Sequence, residues 1–269
     1  MKQTNVAGLT RLYILLIRAS IRSSMQYKFN FILGAVLAAF IQLAEFAMVA
    51  LVLHKFGAIH GWSLYEIAYL FGLITLSKTI YRSFANDVHH LERYLIGGEL
   101  DQLLTRPVPV LLALMSQNFR LMPGEWLQGG FILGWSMAGM LRDGQITWWA
   151  VPPTLFATLT GAVILFAIGL ATAATGFWIT RVSELQNLTE DAAHTAVRYP
   201  LTLYPAWMKQ VLLLVLPVGF VNYVPALYIL RGELGAWVLP ACTAVALLCL
   251  YASMKFWKYG LTKYQSTGS

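Results

Sequence analysis

Charge is what this sequence has least of. Only 12% of its 269 residues are Asp, Glu, Lys or Arg, about half the roughly 25% of an ordinary soluble domain. A water-soluble core of this size could not hide the 58% of residues that are apolar, so the class this scarcity argues against first is the soluble globule. Cysteine is almost as rare. Cys242 and Cys249 lie in one apolar run, with no CxxC and no Cys/His cluster, which argues against a disulfide framework or a zinc site and leaves two buried, unreactive thiols. No GxxxxGK[ST] is present: the pair Gly97-Gly98 precedes Glu99, an anion where a phosphate cradle needs a cation. HExxH, GxSxG and paired intramembrane aspartates are missing too. His89 and His90 would point about 100° apart on a helix and read as surface groups. No catalytic residue, cofactor site or metal ligand is therefore assigned, and ATP hydrolysis is not expected of this chain. A cleavable signal is not expected either, because the apolar stretch 12–17 is short and bracketed by Arg11 and Arg18.

What the sequence does have is long apolar runs, with a mean hydropathy of +0.62. A membrane-crossing helix needs roughly 20 mostly apolar residues. Candidates are 31–53, 62–76 extending toward Tyr81, 126–140, 148–178 and 237–257. The fifth crossing is ambiguous. Hydropathy favours 211–230, broken by Pro217 and Pro225, yet the preceding 182–199 could cross if protein shields its Glu184, Glu190, Asp191, His194 and Arg198. The expected fold is an all-α integral membrane protein of about six transmembrane helices. An amphipathic interfacial helix over 6–24 precedes them. The chain reads as a single domain: an interfacial segment 1–28, a six-span core 29–257 with a polar loop 78–107, and a tail 258–269.

Orientation follows from Lys and Arg. With the N-terminus inside, the cytoplasmic side collects Lys2, Arg11, Arg18, Arg22 and Lys28, the basic residues of 78–120, Arg181, Arg198 and the lysines of the tail. The other side holds Lys55, Arg142 and Arg231, with Lys209 undecided. That bias puts both termini in the cytoplasm. Trp62, Trp148, Trp149, Trp178, Trp237 and Trp257 fall near span ends, where an indole favours the headgroup layer. The net charge of +7 is spread over span flanks, so it does not indicate nucleic acid.

Two places could carry function. Glu45, with Gln42 one turn earlier, sits near the middle of the first span. An ionisable group there lines a pathway or subunit interface, or is a hydrogen-bonded packing residue. The second place is the loop 78–107, which reads as two short amphipathic helices hinged at Gly97-Gly98. Leu100, Leu103 and Leu104 would form one apolar stripe, with Glu99 and Asp101 at the start of the helix and Arg106 at its end suiting its dipole. Such a helix could dock a soluble partner or lie flat on lipid. Gly130 and Gly134, and Gly169 with Ala173, have small-residue spacing suited mainly to packing within the chain.

The loop also carries a resemblance. Gly98-Glu99-Leu100-Asp101, Leu104, Arg106 and Pro107 resemble an element of bacterial ABC-2-type transporter permeases, and more narrowly of their six-span subgroup. Tyr199-Pro200-Leu201, Tyr204-Pro205, Pro217, Phe220, Tyr223, Pro225-Ala226 and Leu230 resemble that subgroup's segment before the last span. Gly260-Leu261, Tyr264, Ser266 and Gly268-Ser269 are similar to its C-terminal signature. The resemblance implies a permease subunit of an ATP-binding cassette exporter in the bacterial cytoplasmic membrane. Two such subunits, identical or related, would form the pathway, driven by cytoplasmic ATPase subunits. The coupling element would be the loop with Gly97, Gly98, Glu99, Leu100, Asp101, Leu103, Leu104 and Arg106. It also favours 182–204 as the crossing segment, followed by a re-entrant stretch. An ion-coupled transporter or channel, or a non-transporting membrane anchor, are the other classes open to such a chain.

Overall fold

In the computed structural model the described residues are 28–56, 61–117, 119–179 and 181–265, with isolated positions 15, 17, 18 and 22 before them. The interfacial helix expected over 6–24 and the last residues of the C-terminal signature lie outside this set. The described chain is helical, with no strand among its elements. Helix α1 spans Lys28–Phe56 and α2 Leu64–His89. Two six-residue helices follow, α3 at Leu91–Ile96 and α4 at Glu99–Leu104. Next come α5 at Val110–Gln117, α6 at Pro123–Arg142 and α7 at Val151–Ala174. The ends are set locally. Ser63 and Glu66 form a capping box at the start of α2, and prolines occupy the first turns of α6 and α7, where a missing N–H costs nothing.

Three helices are long and apolar enough to cross a membrane, within Phe31–Met48, Trp148–Phe177 and Val238–Lys263, or four if one bent pair counts as a span. Helix α2 fails that simple test although it is the centre of the fold. It packs against α5, α6 and α7, and Ile67, Leu70, Leu73 and Ile74 are fully buried. A helix sheathed in protein need not be apolar all round, because neighbours satisfy its polar groups. Tyr69 Oη and Thr154 Oγ1 are 2.8 Å apart, Ser77 Oγ donates to the Thr158 carbonyl at 3.1 Å, and Ser136 Oγ of α6 donates to the Tyr65 carbonyl at 2.7 Å.

The segment after α7 explains the ambiguity over the fifth crossing. It begins with α8, Ser183–Gln186, continues through a π-helical turn at Asn187–Ala192 into α9, Ala193–Ala196, and runs antiparallel to α2. Gln186 Nε2 donates to the Val88 carbonyl at 3.3 Å, Lys78 meets Asp191 at 2.6 Å, and the Arg198 guanidinium lies 4.8 Å above the Phe71 ring. Helix α10, Ala206–Gln210, then extends to Val215, and the chain turns by 74° at Pro217. Helix α11, Tyr223–Arg231, ends where Arg231 pairs with Glu66 at 2.8 Å. Neither candidate stretch flanks the whole of α2. Residues 182–198 run along it from Val88 to Phe71 and 222–231 from Leu70 to Glu66. They meet at the buried Asn222, whose Nδ2 donates to the Leu70 and Val197 carbonyls at 3.2 and 2.6 Å. The last helix, α12, spans Val238–Lys263 and packs on α7.

Several expectations need correction. Trp62 and Trp257 are not boundary indoles. Both are buried, Trp62 beneath Arg231 at 4.0 Å and Trp257 against Phe177 at 5.1 Å. Gly130 and Gly134 have open space at the position of a Cβ, so this pair makes no close approach within the described chain. Gly169 does, because a Cβ there would fall on Tyr81 and Glu190.

Candidate functional site

The hinge is built as its sequence suggests. Helix α3 closes on the Gly97 N–H donating to the Arg93 carbonyl at 2.9 Å. Gly98 then turns the chain at φ 66°, ψ 4°, a left-handed conformation that glycine adopts without cost. The expected stripe on α4, however, is split. Leu100 and Leu103 are 0% and 3% exposed in this chain's own core, while Leu104 is 43% exposed. One residue advances a helix by about 100°, so the turn that points Leu103 inward points Leu104 away. The outward face is Ile96, Glu99, Gln102, Leu104 and Arg106.

Asp101 and the C-terminal tail come together here. Burial, and then the Asp101 carboxylate, push the Tyr264 phenol above its ordinary value. Gly260, one turn earlier, abuts Phe177 at the end of α7. The loop motif and part of the C-terminal motif, far apart in sequence, are thus one structural unit.

Helix α3 contributes a group the sequence did not flag. Glu92 Oε2 accepts hydrogen bonds from Val182 N, Ser183 N and Ser183 Oγ, each at 2.6 Å. A carboxylate on the first N–H groups of a helix satisfies donors that have no partner within it. The Ser183 hydroxyl and these backbone groups hold the Glu92 carboxyl below its ordinary value. Next to it, the Tyr94 hydroxyl donates to Asp87 Oδ2 at 2.7 Å, and burial together with that carboxylate raises the phenol's pKa.

Further along the same segment lies a buried ionic cluster. Glu190 is 5% exposed. Its Oε1 accepts from the Tyr81 hydroxyl at 3.1 Å and sits 3.0 Å from His89 Nδ1, and its Oε2 is 3.5 Å from Arg82 Nε. His89 is therefore not the surface group its neighbourhood suggested: its side chain is 10% exposed, drawn in by Glu190. His90 is half-buried, and its Nδ1 lies 3.0 Å from the Asn86 carbonyl, to which it donates.

A family model for the ABC-2 family transporter protein matches residues 39–268. The chain belongs to that family. It is accordingly a permease subunit of an ABC transporter, a multi-pass membrane component that is not itself catalytic, and the family implies an ATP-binding cassette partner. No curated protein matches the chain.

In this permease the cluster and the Glu92 cap link three parts that sequence motifs treat separately: the loop helices, α2 and the 182–198 segment. No short motif announces the link, since its partners lie about a hundred positions apart. The available signal was opposite charge inside apolar surroundings: Glu190 and Asp191 in one run, Lys78 and Arg82 in another. Glu45 behaves similarly. Its Oε2 accepts from Arg198 Nη1 at 2.6 Å, so α1 and the 182–198 segment are tied by an ion pair. The side chain of Gln42 lies outside the described residues. Among the described residues no cluster fit to hold a metal occurs.

Proposed function

We propose that this permease forms one half of an export pathway and that α3–α4 is the element through which cytoplasmic ATPase subunits move it. The carrying observation is the Glu92 carboxylate. It fastens α3, one hinge away from the exposed face of α4, to the first turn of the 182–198 segment by three bonds of 2.6 Å. A push on α4 is thereby delivered to a segment that lies along α2 to the level of Phe71. The core leucines Leu100 and Leu103 make α4 stiff against its own chain, and the outer face with Ile96, Glu99, Leu104 and Arg106 is the docking surface.

Six crossings follow: α1, α2, α6, α7, a composite fifth, and α12. The composite crossing consists of 182–198 followed by 222–231, with 201–216 re-entrant between them. Its polar residues are tolerable because protein encloses them. The excess of Lys and Arg at the His89 end of α2, at Arg181 and in the tail supports a cytoplasmic location for those regions and for both termini. Two permease chains, alike or related, complete the pathway. The membrane is the bacterial cytoplasmic membrane.

The test is Leu104→Asp, which places a charge on the exposed face without touching the core. The variant is expected to insert and unfold like the parent but to lose the co-purifying ATPase, or to keep it with hydrolysis detached from transport. Full retention of stoichiometric, transport-coupled ATPase would remove the docking role from this face.

A further inference from the structure

A cavity of about 290 Å³ lies between the His89 half of α2 and the chain leading into α6, and the coupling scheme makes no use of it. Lys78, Arg82 and Arg120 line it together with Glu125. Lys78 and Arg82 already have carboxylates beside them, Asp191 and Glu190. Among the described residues Arg120 and Glu125 make no ion pair with each other or with anything else. The cavity therefore offers one cation and one anion that lack partners. Thr75 also lines it. It is 2% exposed, and its hydroxyl has no hydrogen-bond partner. Buried polar groups are nearly always satisfied, so this hydroxyl points to a polar occupant. The start of α6 adds N–H groups with no side-chain cap, which favour an anion.

We infer that this cavity binds the headgroup of an aminophospholipid, with the phosphate on Arg120, the Thr75 hydroxyl and the α6 N-terminus, and the ammonium on Glu125. Paired unpartnered charges of both signs select a zwitterion whose amine keeps its N–H donors. A purely anionic headgroup would face Glu125, and a trimethylated amine could not hydrogen-bond to it. The flanking residues favour a lipid over free phosphate. Leu121, between the lining residues Arg120 and Met122, is 41% exposed, apolar surface beside the charged interior on which an acyl chain can lie. Trp126 Nε1 donates to Ser83 Oγ at 3.2 Å, an indole placement suited to the headgroup layer. The site is independent of the docking role of α4 and can stand or fall without it.

The experiment is native mass spectrometry of the delipidated full chain titrated with phosphatidylethanolamine, phosphatidylcholine or phosphatidylglycerol, with inorganic phosphate as a competitor. Phosphatidylethanolamine is expected to bind most tightly, and Arg120→Gln to weaken it about tenfold, as loss of a charge-assisted contact implies. Glu125→Gln should shift the preference toward phosphatidylglycerol. Thr75→Val keeps shape and removes a hydroxyl that no protein group uses, so it should weaken the lipid several-fold with an unchanged unfolding midpoint. Equal retention of the three lipids, or unchanged binding in Arg120→Gln and Thr75→Val, would overturn the site. Displacement of the lipid by inorganic phosphate at equal concentration would make it a free-phosphate site and overturn the lipid assignment.

Discussion

Replacing Glu190 with Gln strikes the buried cluster at its centre. The substitution keeps the shape and an acceptor for the Tyr81 hydroxyl, but leaves Arg82 and His89, with side chains 12% and 10% exposed, without the carboxylate they face. Removing one partner of a buried ion pair costs about 3–5 kcal/mol, because the remaining charge stays desolvated. Retained hydrogen bonding places Gln at the lower end, about 3 kcal/mol. For a chain of this size each kcal/mol moves the unfolding midpoint by about 2–4 °C, so a drop of roughly 10 °C is expected in a fluorescence melt of the purified chain. The double variant Arg82→Gln/Glu190→Gln removes both charges and should recover much of the loss, a coupling that a double-mutant cycle reads directly. A Glu190→Gln melt within about 2 °C of the parent, or strict additivity in the cycle, would show that the cluster is not held together by charge.

Two further outcomes follow from the loop. Leu103→Ala should destabilise the chain by about 2–5 kcal/mol as a core truncation, visible as a lowered melting midpoint, whereas Leu104→Ala should leave the midpoint unchanged. Glu92 has a carboxyl pKa depressed below its ordinary value of 4.5 by the Ser183 hydroxyl and the backbone N–H groups, so its contribution is complete above that value and is lost as pH falls through the lowered one. The difference in midpoint between the parent and Glu92→Gln should therefore stay constant from neutral pH down to about 5 and shrink only in stronger acid.

Apolar run length was enough to locate α1, α7 and α12, the three helices long and apolar enough to cross a membrane. It understated α2, where Ser77, Lys78 and Arg82 are tolerated by virtue of neighbours no sequence window contains. The same blindness left 182–199 undecided against the more apolar 211–230. Its Glu190 is buried by pairing with residues about a hundred positions earlier. The hinge at Gly97-Gly98 was readable because a left-handed turn demands glycine locally. The division of labour between Leu103 and Leu104 was not, since a three-leucine stripe on a six-residue helix does not reveal how much of its width the chain's own core will cover. Glu92 could not be read at all: its role depends on where α7 ends.

The most direct test follows the motion itself. In the purified complex with its ATPase, spin labels at positions 188 and 247, after replacement of Cys242 and Cys249, report the separation of the 182–198 segment from α12; Leu188 and Leu247 are 66% and 60% exposed. In the parent, trapping with ATP and vanadate is expected to shift that distance distribution. In Glu92→Ala the ATPase should still bind and trap nucleotide, while the distribution stays where it was without nucleotide. A Glu92→Ala complex that traps nucleotide and shifts as the parent does would contradict transmission through the α3 carboxylate.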